Sequence, residues 1–226
     1  MEPRGHTMRI FKDRLVRVIS LGAALLGLFL LFIIIKDVAV KGFSVINWDF
    51  FTKDMTPAGI PGGGVRNAIY GTLMITLVAT PLGVPVGILT GVFLSAYGRG
   101  TRFGRAVRFT LNVLMGIPSI LIGVFFFAFM IVSMGHGSGY VGGLALAVIM
   151  IPIVAITTEE MLLMVPDAVR ESGLALGAPR WRVTVSILFR SARNGLVTGV
   201  LLAVARVSGE TAPLIFTARF SQFWPE

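Results

Sequence analysis

The chain has 226 residues, of which 55% are hydrophobic and 14% charged. A soluble domain carries roughly 25% charged residues, so this composition excludes a soluble globular protein and indicates an all-α polytopic membrane protein. The net charge of +9 does not signal nucleic acid, because Lys and Arg sit in the gaps between apolar runs. With no cysteine there is neither a disulfide framework nor a thiolate metal site. His6 and His136 lie far apart in polar segments, which disfavours a histidine metal site.

A helix needs about 20 largely apolar residues to cross a bilayer. A basic tail over residues 1–17 precedes the first uncharged run, Val18–Ile35. That run exceeds the ~7–15 residues of a signal-peptide core, and no A-x-A-like site follows, so it reads as an uncleaved anchor. Residues 36–67 form an external loop that leads into the helical core, residues 68–226. The second span, Ala68–Tyr97, is expected to tilt or to kink at Pro81 and Pro85. Gly83, Gly87 and Gly91, with Ser95 one step on, form a stripe of small residues for close helix packing. The third span, Phe109–Met134, contains GIPSILIG, where Pro118 is expected to remove one backbone hydrogen bond and bend the helix. Such a bend serves either a cavity or packing alone. The fourth span, Tyr140–Thr158, follows after GHGSG and closes on the edge pair Glu159–Glu160.

The segment 159–194 is too long and too patterned for a plain connection. Pro166 and Asp167 suit a helix start and Gly177 a helix end, with Val169, Leu174 and Leu176 making the helix partly apolar. Pro179 then opens a helix carrying Trp181 into the fifth span, about residues 195–217, where Gly195, Gly199 and Ala203 repeat the small-residue device. The short helix is placed either to dock into a partner or to lie on the lipid surface with Arg180 and Arg182 at headgroups. Fourteen of the 20 Lys and Arg residues fall in the tail, in residues 98–108 and in 159–194, whereas Lys36, Lys41, Lys53, Arg66 and Arg219 fall on the other side. This bias places the N-terminus in the cytoplasm. Five spans then leave the tail FSQFWPE outside, with Trp224 at the interface, unless a sixth span lies beyond residue 226.

The fifth span carries two opposite charges, in ARVSGETAPLIFTA. Arg206 near mid-membrane costs at least about 2.5–3.5 kcal/mol if unpaired. Read as one helix, Arg206 and Glu210 stand at i and i+4 on one face and can neutralise each other. Pro213 cannot donate to the carbonyl of Gly209, which leaves a free acceptor beside the pair. Charges and a free carbonyl at mid-depth imply a wet or protein-lined cavity. The guanidinium fork suits an oxyanion. A role in a translocation path, a gate or subunit contact, and a purely structural pair all remain open at this point.

ESGLALGAPRWRVTVSIL resembles the EAA motif of bacterial ABC-importer permeases. Glu171, Gly177 and Ile187 stand at the motif's spacing, Ser172 and Gly173 replace its two alanines, and Phe189 and Arg190 depart from its closing Leu-Pro. GIPSILIG, IPIVAITTEEMLLMVPDAVRE, LGAPRW and ARVSGETAPLIFTA together are similar to the phosphate-importer permease family, from about residue 61 to residue 220. The resemblance implies the type I permease fold of ABC importers, with six spans, of which a sixth is then missing here. It implies that Glu171, Ser172, Gly173, Leu174, Leu176 and Gly177 couple the chain to an ATPase. It further implies that Arg206, Gly209, Glu210 and Pro213 line a path for inorganic phosphate. The implied partners are a related second permease, two ATPase subunits and an extracytoplasmic phosphate-binding protein, in a bacterial inner membrane.

No G-x-x-x-x-G-K-[ST] sequence occurs around Lys12, Lys36, Lys41 or Lys53, so the chain is a transport subunit without its own ATP site and is expected to need no cofactor. A secondary transporter would need coupling carboxylates within the membrane, and Glu210 is the only acid in a span core. A lipid enzyme would need clustered acids or histidines. A permease for sulfate or molybdate is the alternative that the sequence separates least well.

Overall fold

The computed structural model describes residues 4–57, 59–60 and 62–218, so the readings placed on Arg219, on Trp224 and on a sixth span lie outside the described residues. The described residues form helices joined by turns. They are α1 (Arg4–Phe43), α2 (Trp48–Thr52), α3 (Arg66–Ala96), α4 (Arg102–Gly116), α5 (Ser119–Met134), α6 (Gly139–Leu163), α7 (Asp167–Ala175), α8 (Arg180–Ser208) and α9 (Ala212–Thr217). Four helices, α1, α3, α6 and α8, are long and apolar enough to cross a membrane, and α4 with α5 makes a fifth span if the bent pair counts as one. The chain is a multi-pass membrane protein.

The anchor helix is longer at both ends than its apolar run, because no proline interrupts residues 4–43. Its apolar window buries nothing against the rest of the chain, the pattern of a helix meant for lipid or for another protein. The connection to α3 is ordered by local pairs. Asn47 caps α2 by accepting from the Phe50 amide, and Arg66 donates Nε and Nη2 to the two carboxylate oxygens of Asp54 at 3.0 and 2.7 Å.

At the centre stands α6, the most buried span, with α3, α8 and the α5–α9 pair around it. The small-residue stripe of α3 explains how closely the two long helices approach. A Cβ built on Gly83 would lie 3.0 Å from the Met150 Cβ, one on Gly87 2.6 Å from the Val154 Cβ, and one on Gly91 2.5 Å from the Ala155 carbonyl oxygen. Gly195 and Gly199 likewise let α8 approach Met161 and Thr157 of α6. Lipid tails are as apolar as leucine, so this intimate packing, rather than release from water, holds membrane helices together. Ala79, Leu146, Met150, Val154, Ala203 and Val207 close the core between the three helices.

Two expectations are corrected. The third span is not one kinked helix: α4 and α5 meet at 95°, and Ile117 and Pro118 between them are extended. Proline pushes the residue before it out of the helical region, so Ile117 ends α4 and Pro118 opens α5. The fifth span also stops early. Helix α8 ends at Ser208, and Pro213 sits in the first turn of the separate helix α9. In contrast, α3 runs unbroken through Pro81 and Pro85.

Candidate functional site

The two chain breaks face each other. Gly123 of α5 lies against the backbone of Pro213 at the start of α9, where a Cβ on residue 123 would come within 2.5 Å of the Pro213 Cα. This crossing brings the start of α5 beside the end of α8. Between them lies a cavity of about 130 Å³ lined by Leu114, Ile117, Ser119, Ile153, Arg206 and Glu210, among others. One water needs roughly 10–15 Å³ of such space, so the cavity holds several waters or a small polyatomic ion.

Arg206 and Glu210 therefore share a cavity, but they do not form the ion pair expected of them; their charges are not within 4.0 Å of each other, in contrast to the pairs Arg108–Glu159 and Arg99–Asp167. The i,i+4 relation fails because the helix ends at Ser208. The Glu210 amide donates to the Val207 carbonyl at 3.1 Å in a turn, which carries its side chain off the Arg206 face. A guanidinium and a carboxylate thus line one cavity without pairing, each with hydrogen-bonding capacity left over. Such a site can donate a planar fork to an anion and accept from a protonated oxygen or from water. Gly209 is exposed at the break, and Pro213 is buried against Gly123. Ser119 and Ile117 were missed from the sequence; the signal was Gly-Ile-Pro-Ser, where proline starts a helix rather than bending one.

Away from this cavity, the short helix expected between Pro166 and Gly177 forms as α7. Gly177 follows it at φ +78°, with its amide bonded to the Leu174 carbonyl and the Ala178 amide to the Gly173 carbonyl, a turn that favours glycine. Glu171, Ser172, Leu174, Leu176 and Gly177 are exposed, and Leu176 is 88% accessible. Gly173 is not part of that surface. It turns inward, where a Cβ would meet Ile187 and Val183 of α8 at 2.8 and 3.1 Å.

Glu159, read as one of an edge pair at the end of the fourth span, has a partner that the sequence did not show. Glu159 is 5% exposed and receives both Nε and Nη2 of Arg108 from α4, a forked ion pair across the bundle. Arg108 had been counted with the basic loop, and only the fold, which joins residues 51 apart, shows the partnership. Among the described residues no group of three or more His, Cys, Asp or Glu could hold a metal ion.

Residues 83–224 match the family described as "Binding-protein-dependent transport system inner membrane component". The chain is 42% identical over 213 residues to the phosphate transport system permease protein PstA of Yersinia pestis, covering 94% of this chain and 72% of that protein. It is 44% identical over 211 residues to the protein of the same name from Haemophilus influenzae, covering 93% and 74%. Among solved structures, a chain of the MetNI methionine ABC transporter, described in inward facing conformations, is similar with a TM-score of 0.62 and 25% identity, over 69% of this chain and 74% of that one.

Proposed function

Because the chain belongs to the PstA-type phosphate permease family of binding-protein-dependent inner membrane components, we propose that it forms half of the membrane path of an ATP-driven importer of inorganic phosphate. The observation that carries this reading is the cavity at the two helix breaks, which Arg206 and Glu210 both line. Broken helices expose backbone and polar side chains at membrane depth only where protein or water surrounds them. Arg206 offers the forked donor that a phosphate oxygen pair accepts. Glu210 accepts from the protonated oxygens of phosphate and keeps the site from holding the anion too tightly.

In this reading the basic segments face the cytoplasm, and α7 docks into the ATPase through Glu171, Ser172, Leu174, Leu176 and Gly177. Gly173, packed inward, ties α7 to α8. Rigid-body motion of the ATPase then reaches the α8–α9 break through one continuous helix. A related permease supplies the other half of the path, two ATPase subunits supply hydrolysis, and a phosphate-binding protein delivers substrate from outside.

Phosphate uptake by Arg206 variants, compared at equal assembly, tests the path. Arg206→Gln abolishes uptake, and Arg206→Lys fails to restore it because an ammonium lacks the planar fork. Glu210→Gln is milder. Near-normal uptake by the double variant Arg206→Leu, Glu210→Leu would sink the path role and leave the two charges as scaffold.

A further inference from the structure

A second polar cavity, of about 190 Å³, lies where α7 meets the end of α3 and the start of α8, lined by Ala96, Arg170, Leu174, Arg180, Val183 and Thr184. We propose that it binds a phosphate group, either of inorganic phosphate or of an anionic lipid headgroup, and that the bound anion fastens α7 to α3. The proposal stands on unmatched donors beside a cavity that is open on one side. Arg170 spends one nitrogen, Nη1, on the Ser95 carbonyl at 3.2 Å, at the C-terminal end of α3. Its Nε and Nη2 are buried and have no acceptor. A buried donor without an acceptor costs about 1–3 kcal/mol, more on a charged group, so this arrangement calls for an acceptor that the chain does not provide.

The charges around the cavity decide what that acceptor is. Arg170 and Arg180 line the cavity and Arg99 stands near Arg170, while Asp167, the carboxylate that acts on Arg170, is already engaged by Arg99 at 3.4 Å. The Thr184 hydroxyl donates to the Arg180 carbonyl and so has no proton to offer an anion. Burial, reinforced by the charge of Arg99 and opposed by Asp167, lowers the Arg170 pKa from its usual value, the direction expected of a guanidinium short of negative charge. A turn of the Arg170 guanidinium toward the cavity would present its unmatched nitrogens to a tetrahedral oxyanion, with Arg180 lining the same space. This cavity is separate from the one holding Arg206, and its ligand need not be cargo.

Hydrogen exchange of the α7 amides in the assembled transporter tests this. The transporter is placed in phosphatidylcholine nanodiscs, with inorganic phosphate titrated against chloride at constant ionic strength, and in nanodiscs containing phosphatidylglycerol without added phosphate. Exchange slows by about tenfold, the size of one charge-assisted hydrogen bond. Slowing on phosphate addition identifies the free anion, and slowing in phosphatidylglycerol alone identifies the headgroup. Either effect must disappear in Arg170→Gln and in Arg180→Gln; Arg180 is exposed, so its replacement does not threaten folding. Unchanged exchange in every condition overturns the proposal and leaves a carboxylate of the docked ATPase as the occupant. A phosphate effect that survives both substitutions but vanishes in Arg206→Gln also overturns it, since the signal then comes from the translocation cavity.

Discussion

Gly71→Ala and Gly91→Ala place the same methyl group on the same helix and should change stability in opposite directions. At Gly91 the new Cβ would stand 2.5 Å from the Ala155 carbonyl oxygen and 2.6 Å from the Thr158 Cβ, where carbon contacts settle at about 3.5–4.0 Å. The obstruction includes backbone, which cannot rotate away, so α3 and α6 must part by about 1 Å. Overpacking of this kind costs roughly 1–3 kcal/mol. Alanine returns about 1 kcal/mol through helix propensity, so the net loss is up to about 2 kcal/mol. At Gly71 nothing lies within 4 Å, and only the propensity gain of up to about 1 kcal/mol remains. Gly83→Ala should be milder, because its nearest contacts, the Met150 Cβ at 3.0 Å and the Ala147 carbonyl oxygen at 3.1 Å, need to give less than those at Gly91. Unfolding of the purified chain by SDS in mixed micelles, followed by circular dichroism, measures all three. If Gly91→Ala is as stabilising as Gly71→Ala, the stripe is not a packing seam and the account of the core fails.

Glu159→Leu should destabilise the chain by about 2–3 kcal/mol in the same assay, toward the low side for a buried pair because Arg108 is partly exposed and can rehydrate; adding Arg108→Leu should recover most of that loss, and a purely additive double variant would deny the coupling. Cysteines placed at His136 and Ser172 in this cysteine-free chain should react with an impermeant reagent from opposite sides of the membrane, and labelling of both from outside would overturn the assigned orientation. Gly177→Leu meets no steric obstacle but must hold φ +78°, a strain of about 1–2 kcal/mol. That strain should loosen α7, so that ATP hydrolysis by the assembled transporter loses its dependence on delivered phosphate, while unchanged stimulation would remove α7 from the coupling.

What was legible in the sequence follows the range of the forces involved. Apolar runs marked the spans because crossing lipid is a local requirement on twenty or so residues. The turn at Gly177 was legible because only a residue without Cβ sits easily at positive φ. Arg206 and Glu210 were singled out by their chemistry, but the ion pair expected between them was misplaced by geometry. The i,i+4 rule presumed a continuous helix, while Pro213 carried the contrary signal, since its ring conflicts with the carbonyl four residues earlier. The 95° break at Pro118 was underestimated for the same reason. The Arg108–Glu159 fork and the unmatched nitrogens of Arg170 had no local signature, because both arise where α4 and α7 are brought against helices distant in the chain.

The seam between α3 and α6 also sets a timetable for biogenesis. Gly91 is synthesised roughly sixty residues before Ala155, an interval of several seconds at ~5–20 residues per second. During that interval α3 sits in the bilayer with its glycine face against lipid, while the α4–α5 pair emerges without its central support. In water such an exposed seam would invite aggregation; in lipid it carries no hydrophobic penalty, and the bare face can wait. Assembly is then limited by the arrival of α6, and a chain arrested before residue 139 should show inserted but unpacked helices.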